Sequence, residues 1–293
     1  MQVAVYGKYF KEKDLPYLQI LFDTLHKENI TTYVYAPYLE KFKEKINFKT
    51  SVAPCEGYLD FRLRKFDGLI SMGGDGTILS AITLVRDSKV PILGINLGRL
   101  GFLASIGNTD IETALSLFKR GMYTIVKRNL LYLESNYPLF GDTQFALNDC
   151  TLLKRDTSSM ITIHAYINGA YLTSFWADGI IISTPTGSTG YSLSCGGPIV
   201  FPDSGNFIIT PVAPHNLNVR PIVISDDSIV SFEIEGRSET FLCTLDSRFE
   251  TITSKHQLAI RKNDFGIRLV QMEGLGFLNT LRKKLAWGRD FRN

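Results

Sequence analysis

The chain has 293 residues, of which 44% are hydrophobic and 21% charged, and its formal net charge is +3. That length suggests two domains of roughly 150 residues each, and so small a net charge excludes a nucleic-acid binder driven by a broad basic field. No apolar run reaches the roughly 18 residues of a membrane span, and the N-terminus lacks the basic start and long apolar core of a signal peptide. The cytoplasm is the expected compartment, with neither membrane nor nucleic acid as partner.

Residues 3–6 read as a first strand, and residues 15–25 carry helical spacing at Leu15, Leu18, Leu21, Phe22 and Leu25. Residues 31–36 are β-branched and aromatic, a second strand, and residues 39–46 read as a short charged helix. A buried strand follows at Leu69, Ile70 and Met72, then a helix over 78–85. A strand over 91–95 and a helix over about 109–120, closed by Gly121, complete the run. Repeated strand–helix units predict a parallel sheet with helices on its faces.

Beyond Gly121 the pattern changes to short β-branched and aromatic runs at 160–167, 180–183, 207–210, 222–224 and 229–234. Asn-Gly, Pro and Gly punctuate them, and no helix is expected to interrupt them. That predicts an all-β, sandwich-like domain. Helical spacing returns at Phe277, Leu281 and Leu285, in a tail expected to pack back on the first domain. The expected boundaries are 1–122 for the α/β domain, 123–272 for the sandwich and 273–293 for the tail.

Cys55, Cys150, Cys195 and Cys243 are far apart and form no C-x-x-C pair, so zinc spacings are excluded and a disulfide framework is not expected. His26, His164, His215 and His256 are equally scattered. No protein-built metal cage is expected; a metal here is an oxygen-liganded one such as Mg²⁺, arriving with a nucleotide.

Four stretches carry chemistry. The first is Gly73-Gly74-Asp75-Gly76-Thr77, on a tight strand-to-helix turn. Glycine there lets backbone N–H groups approach an anion, and the helix N-terminus adds about half a positive charge. A carboxylate beside phosphate is unfavourable unless it binds metal or takes a proton from an attacking hydroxyl. The bland alternative is a glycine turn with Asp75 as helix cap. The second stretch, Asn96-Leu97-Gly98-Arg99-Leu100-Gly101-Phe102-Leu103, follows another strand, and strand ends form the crevice of open α/β sheets. Neither a Rossmann fingerprint nor a Walker A sequence is present.

The third stretch runs from Asp178 to Pro198 and is nearly all small or hydroxylic between Ser183 and Gly197. Its hydroxyls suit riboses and phosphates, and Tyr191 offers a flat face for a purine; a long polar loop is the alternative. The fourth, Asn148-Asp149, ends an apolar strand, where a solvated turn competes with a ribose contact. The proline-rich loop 211–221 reads as structural, with no evident partner for His215.

In that order and over most of the chain, these stretches resemble the NAD kinase family. The segment 178–198 is the most specific, because other kinases share the Gly-Gly-Asp-Gly turn without it. The resemblance implies transfer of phosphate from ATP-Mg²⁺ to the adenosine 2′-hydroxyl of NAD. It also implies a phosphate-binding first domain, a dinucleotide-binding sandwich and a homodimer or homotetramer. Asp75 matches the proton acceptor of the family. The nucleotide-binding positions matched are Gly73, Gly74, Gly76, Thr77, Phe102, Asn148, Asp149, Asp178 and Ala213. The segment Thr189, Gly190, Tyr191, Ser192, Leu193 and Ser194 matches the loop around the adenosine. Two matched positions depart from the family: Trp176 stands where many relatives carry Arg, and Arg248 where many bacterial relatives carry Gln. Gly190 replaces a commoner Ala. The competing readings are a lipid or sugar-phosphate kinase with the same turn, and a dinucleotide sensor without turnover.

Overall fold

The computed structural model describes residues 1–155, 159–216 and 218–286. The chain divides into two compact units, one formed by Met1–Lys127 with the chain from Ile267 onward, the other by Arg128–Gly266.

In the first unit the elements run β1 (Gln2–Tyr6), α1 (Leu15–Lys27), β2 (Thr31–Tyr35), α2 (Ala36–Leu39), β3 (Ala53–Cys55), α3 (Tyr58–Leu63), β4 (Gly68–Met72), α4 (Asp75–Val85), β5 (Ile92–Asn96), β6 (Ile106–Gly107), α5 (Ile111–Lys119) and β7 (Thr124–Arg128). Both β4 and β5 are buried along their whole length, as expected of central strands in a parallel sheet covered on both faces. Helix α1 packs against α5, and α3 against α4. Their apolar stripes meet the sheet around Val5, Leu21, Ile70, Leu93, Leu115 and Phe118.

The second unit contains β8 (Leu131–Ser135), β9 (Phe145–Ala146), β10 (Asp149–Lys154), β11 (Ile161–Ile167), β12 (Ala170–Ala177), β13 (Gly179–Ser183), α6 (Tyr191–Ser194), β14 (Asn206–Val212), β15 (Ile222–Ser225), β16 (Val230–Glu235), β17 (Phe241–Leu245), β18 (Arg248–Ile252) and β19 (Leu258–Lys262). These strands form two antiparallel six-stranded sheets, ordered β15-β14-β13-β10-β17-β18 and β12-β11-β16-β19-β8-β9. Alternate residues of β11, β16 and β17 point inward, and one core collects Leu152, Ile163, Ile182, Phe207, Phe232 and Phe241 from both sheets. The Asn168-Gly169 turn between β11 and β12 has φ of 51° and 80°, the left-handed pair that a tight hairpin needs.

The last elements, β20 (Ile267–Gln271) and α7 (Phe277–Leu285), return to the first unit. The first sheet is then ordered β3-β2-β1-β4-β5-β20-β7, with β6 paired to β5. The chain winds outward from β1 through β2 and β3, then resumes on the other side of β1 at β4. That reversal places a topological switch point between β1 and β4.

Several elements differ from the sequence reading. Of the expected helix over 39–46, Leu39 ends the short α2 and residues 40–45 form successive turns, because only Phe42 and Ile46 bury beyond it and the charged residues between them give a helix no second row to pack. Helix α4 begins at Asp75, three residues before its apolar spacing starts. Strands β7 and β20 pair in the first sheet, although both lie inside the range read as sandwich. The hydroxylic stretch is helical in two short pieces, a 3₁₀ turn at Thr186–Thr189 and α6.

Gly94 on β5 shows how tightly the sheet holds the turns above it. A Cβ there would lie 2.6 Å from Ile78 Cδ1 of α4 and 2.9 Å from the Ala104 backbone. Gly94→Ala is expected to destabilise the chain by about 1–3 kcal/mol through overpacking, read as a lower urea midpoint.

Candidate active site

The turn after β4 is built for close backbone approach. Gly73 has φ of 151°, and a Cβ on it would overlap Thr77 Oγ1, so only glycine fits. Its N–H, however, donates to Ile95 O at 2.9 Å and is not available to a ligand. Thr77 is buried and its N–H closes on Gly74 O at 2.9 Å. The N–H groups of Gly74, Asp75 and Gly76 have no acceptor among the described residues, and Cβ positions at Gly74 and Gly76 meet only open space. These free donors lie on the positive end of an 11-residue helix, an arrangement whose chemistry suits an anion.

Asp75 is not a cap for its own helix. Its Oδ2 accepts the N–H of Phe102 at 2.7 Å, and Oδ1 accepts those of Leu103 at 3.0 Å and Ala104 at 2.9 Å. Gly101 makes this approach feasible, since a Cβ on it would overlap the carboxylate. A carboxylate offers about four acceptor positions, so about one remains, on Oδ2. The Phe102 ring, whose backbone helps hold Asp75, packs 6.1 Å from the Phe277 ring of α7 and carries Lys284 Nζ 5.4 Å above it.

The second unit repeats the device. Asp246, in the β17–β18 turn at φ of 53°, accepts the N–H groups of Leu147 at 2.9 Å, Asn148 at 2.7 Å and Asp149 at 3.3 Å. From the other side, Thr184 N–H donates to Asn148 O at 2.9 Å, and Thr184 Oγ1 donates to Leu147 O at 2.5 Å. Gly187 is packed against Asn148 so closely that a Cβ would overlap its carbonyl oxygen. A Cβ on Gly190 would lie 3.8 Å from Asn148 Nδ2 and 4.0 Å from Asp149 Oδ2, which places the 189–194 segment beside the Asn148-Asp149 pair.

Two carboxylates in one buried neighbourhood do not share charge evenly. Asp149 is pushed up to about 7, first by burial and then by the charge of Asp246, with only Thr151 Oγ1 among the described residues donating to its carboxyl. Asp246 is also raised by burial, against the opposing pull of the backbone N–H groups and of Arg248. The donors go to Asp246, so Asp149 holds the proton until near-neutral pH.

The hydroxyls of the small-residue stretch are mostly spent inside the protein. Ser183 donates to Thr184 O, Ser188 to Pro185 O and Ser192 pairs with Thr210 Oγ1 at 2.8 Å. Ser183, Thr184, Ser188 and Ser192 are fully buried. These hydroxyls, expected to suit a ligand, are turned to protein partners, and side chains are small where Gly187 lies against Asn148 and Ser192 against Thr210. Tyr191 remains 41% exposed, Thr189, Gly190 and Leu193 are half-buried, and Ser194 is exposed.

Asp178 pairs with Lys154 Nζ at 2.6 Å. Trp176 is 47% exposed and its ring lies 4.5 Å from that of His215, the partner that the sequence did not suggest. Ala213, beside it in the chain after β14, is held at φ of 44°, an uncommon setting for a residue with a side chain. The Arg248 guanidinium donates to Thr143 Oγ1 at 2.8 Å and to the carbonyls of Thr143 and Phe145, over the rings of Phe140 and Phe145. Arg248 thus braces the approach to Asn148.

Asp246 was missed by the sequence reading. Its only sequence signal is the two-residue Asp246-Ser247 break between two strand-like runs, which marks a hairpin but not the 97 residues of separation across which it captures Asp149.

Gly101→Ala is expected to expel the Asp75 carboxylate from its cradle, to cut turnover by about 10²-fold or more, and to lower the thermal midpoint because three charge-assisted contacts are lost with it. Gly190→Ala, at ordinary φ and with its nearest contact at 3.2 Å, is expected to be tolerated in the same assays. Asp149 adds a pH signature to stability. Its folded value is raised from 3.8 to about 7, so its contribution is fully present below about 3.8 and is lost as pH rises through 7. Urea midpoints between pH 4 and 8 should fall less steeply in Asp149→Asn.

Comparison with known proteins accounts for this arrangement. Residues 7–123 match the N-terminal domain of ATP-NAD kinase and residues 147–272 its C-terminal domain. The chain is 46% identical over 294 residues to the NAD kinase of Cytophaga hutchinsonii, covering 100% of both chains. It is 46% identical over 295 residues to that of Flavobacterium psychrophilum, again over 100% of both. Among solved structures, yeast NADH kinase complexed with NADH matches at a TM-score of 0.87 and 21% identity, over 99% of this chain and 89% of that one. An NAD kinase from Archaeoglobus fulgidus in complex with ATP matches at 0.74 and 24%, over 98% and 100%. At such identities the structural likeness speaks for the fold, whereas the full-length sequence matches speak for the family. The chain belongs to the NAD kinase family, phosphotransferases that form NADP from NAD and ATP.

Proposed function

We propose that the chain transfers the γ-phosphoryl group of ATP to the adenosine 2′-hydroxyl of NAD, with Asp75 ordering that hydroxyl and receiving its proton. The observation that carries the reading is the Asp75 carboxylate, fixed by three backbone N–H groups with about one acceptor position left. In the reaction the 2′ oxygen bonds to the γ-phosphorus as the bond from that phosphorus to the β–γ bridging oxygen breaks. The hydroxyl proton passes to Asp75 Oδ2, and ADP departs. A pinned carboxylate loses no orientational freedom when the hydroxyl arrives, which is where positioning contributes to rate.

The phosphate side of the reaction falls to the turn of Gly73, Gly74, Gly76 and Thr77, where the free N–H groups of Gly74, Asp75 and Gly76 meet the donor while Gly73 and Thr77 hold the turn's shape. Asn148, Asp149 and Tyr191 take the adenosine of NAD, the first two by hydrogen bonds to hydroxyls and base, Tyr191 by stacking. Asp178, Thr189, Gly190, Leu193, Ser194, Trp176 and Ala213 complete the dinucleotide contacts. Ser192 and Arg248 serve by holding the backbone that carries them, and Phe102 by its N–H to Asp75. Among the described residues no group of three or more His, Cys, Asp or Glu could hold a metal ion. Single carboxylates fit Mg²⁺ brought in on donor phosphates, since that ion is commonly held by one or two carboxylates plus substrate oxygens. When bound it neutralises phosphate charge that no Walker lysine covers here. No helix among the described residues is long and apolar enough to cross a membrane. A homodimer or homotetramer, in the cytoplasm, completes the reading, and sedimentation velocity reads the subunit number.

Asp75→Asn tests it. An amide cannot take the proton, and its NH₂ opposes one of the three cradle N–H groups. Turnover of NAD is expected to fall by about 10²–10⁴-fold, with dinucleotide affinity much less changed. Recovery at high Mg²⁺ would instead make Asp75 a metal ligand. Near-normal turnover at every Mg²⁺ concentration would remove it from the chemistry.

A further inference from the structure

A cavity of about 220 Å³ opens at the edge of the first sheet, lined by Tyr9, Lys11, Lys13 and Asp14 after β1, by Met72–Gly74 and Thr77 after β4, and by Asn96–Arg99 after β5. Strands β1, β4 and β5 are parallel neighbours, so these segments all leave from the carboxyl ends of the strands. The switch point between β1 and β4 lies among them, and open α/β sheets bind ligands at that point.

The electrostatics of this cavity are unbalanced. Lys11, Lys13 and Arg99 are exposed, and none of their side chains has a hydrogen-bond, ion-pair or ring partner among the described residues. Nearby lysines differ: Lys45 is paired with Glu12 at 2.6 Å and Lys43 with Glu40 at 2.7 Å. The Lys45 pair matters most. Glu12 stands between Lys11 and Lys13 in sequence, and its engagement elsewhere leaves both lysines uncompensated. The floor of the cavity includes Gly74, one of the free N–H donors. A single carboxylate also lines it. Asp14 is 6% exposed, occupies the N-cap position of α1 without making a capping bond, and has no side-chain hydrogen bond among the described residues.

We propose that Lys11, Lys13 and Arg99 hold the polyphosphate chain of the phosphoryl donor in this cavity, with Asp14 on the side of the accompanying Mg²⁺. This deepens the proposed function, on whose reading it rests, by supplying cations where no Walker lysine exists. Three positive side chains against one carboxylate attract a tri-anion or larger, and the same chemistry serves a nucleoside triphosphate or an inorganic polyphosphate. Lysines are suited to it as mobile point charges on phosphate. The carboxylate is tolerated because a divalent cation separates it from the phosphate oxygens.

The probe is inorganic tripolyphosphate, titrated by calorimetry into the full chain with Mg²⁺ and again with EDTA, alongside steady-state kinetics with ATP-Mg²⁺ and NAD. Lys11→Ala/Lys13→Ala is expected to weaken tripolyphosphate and raise the KM for ATP by about tenfold or more, as for the loss of charge-assisted contacts, while the KM for NAD moves by less than about twofold. Arg99→Ala should do the same in smaller measure, and Lys11→Arg/Lys13→Arg should restore both readings. Asp14→Asn should weaken tripolyphosphate with Mg²⁺ present and leave it unchanged in EDTA. Unchanged tripolyphosphate affinity and KM for ATP in the double alanine variant, in a chain that still makes NADP, would overturn the assignment without touching the proposed reaction. A chain that makes no NADP but loses tripolyphosphate on the same substitutions would overturn the reaction and keep the cavity. If ATP competes with tripolyphosphate the donor is the nucleotide; tripolyphosphate that serves as donor itself places inorganic polyphosphate in the same cavity.

Discussion

Consecutive backbone N–H groups captured by one carboxylate organise both units of this chain. Asp75 collects the N–H groups of residues 102, 103 and 104, and Asp246 those of 147, 148 and 149. Successive amides that point one way form an anion-binding concavity, and a side-chain carboxylate here takes the place that a free anion would take. Each contact to a charged acceptor contributes about 1.5–3 kcal/mol, so three of them fix a loop that has little apolar surface to bury. The two devices have different consequences. At Asp75 the loop immobilises the carboxylate, which stays partly exposed with about one acceptor position left. At Asp246 it is the carboxylate that immobilises the loop, and Asn148 stands half-buried on it.

Burial then decides how charge is distributed in the second unit. Placing two carboxylates near each other away from water is unfavourable for at least one of them as an anion. Because the donors are committed to Asp246, the penalty falls on Asp149, whose ionisation moves to about 7. A neighbour that can either donate or accept a proton at working pH suits a sugar hydroxyl, which does both. The small residues of the 183–197 stretch follow from the same geometry. They are small because Gly187 and Ser192 lie against the backbone of Asn148 and the hydroxyl of Thr210, where a larger side chain would overlap its neighbour.

Positive charge in the first unit is arranged without a Walker lysine. The free N–H groups of Gly74, Asp75 and Gly76 supply part of it, and the uncompensated cations of the β1–α1 segment supply the rest. Both sources sit at one sheet edge because β1, β4 and β5 run parallel and in adjacent positions.

Much of this was legible in the chain itself. Alternating strand and helix periods gave an α/β half, and short β-branched runs with Asn-Gly turns gave a sandwich, because both periodicities are local. Glycine content marked the turn at 73–77 and the loop at 96–103, and the order of motifs named the family. The sequence by itself therefore determined most of the elements, the glycine turn at 73–77 and Asp75 as the group of interest, all readable within about a dozen residues. Only the tertiary structure decided what those residues do to one another. It returned β20 to the first sheet, gave Asp75 the amides of a loop 27 to 29 residues away, and brought Asp246 to Asn148 across 98. It also turned the hydroxyls of Ser183, Ser188 and Ser192 inward. Hydrogen bonding and charge act through space, and residues distant in sequence become partners only once strand order has put them side by side.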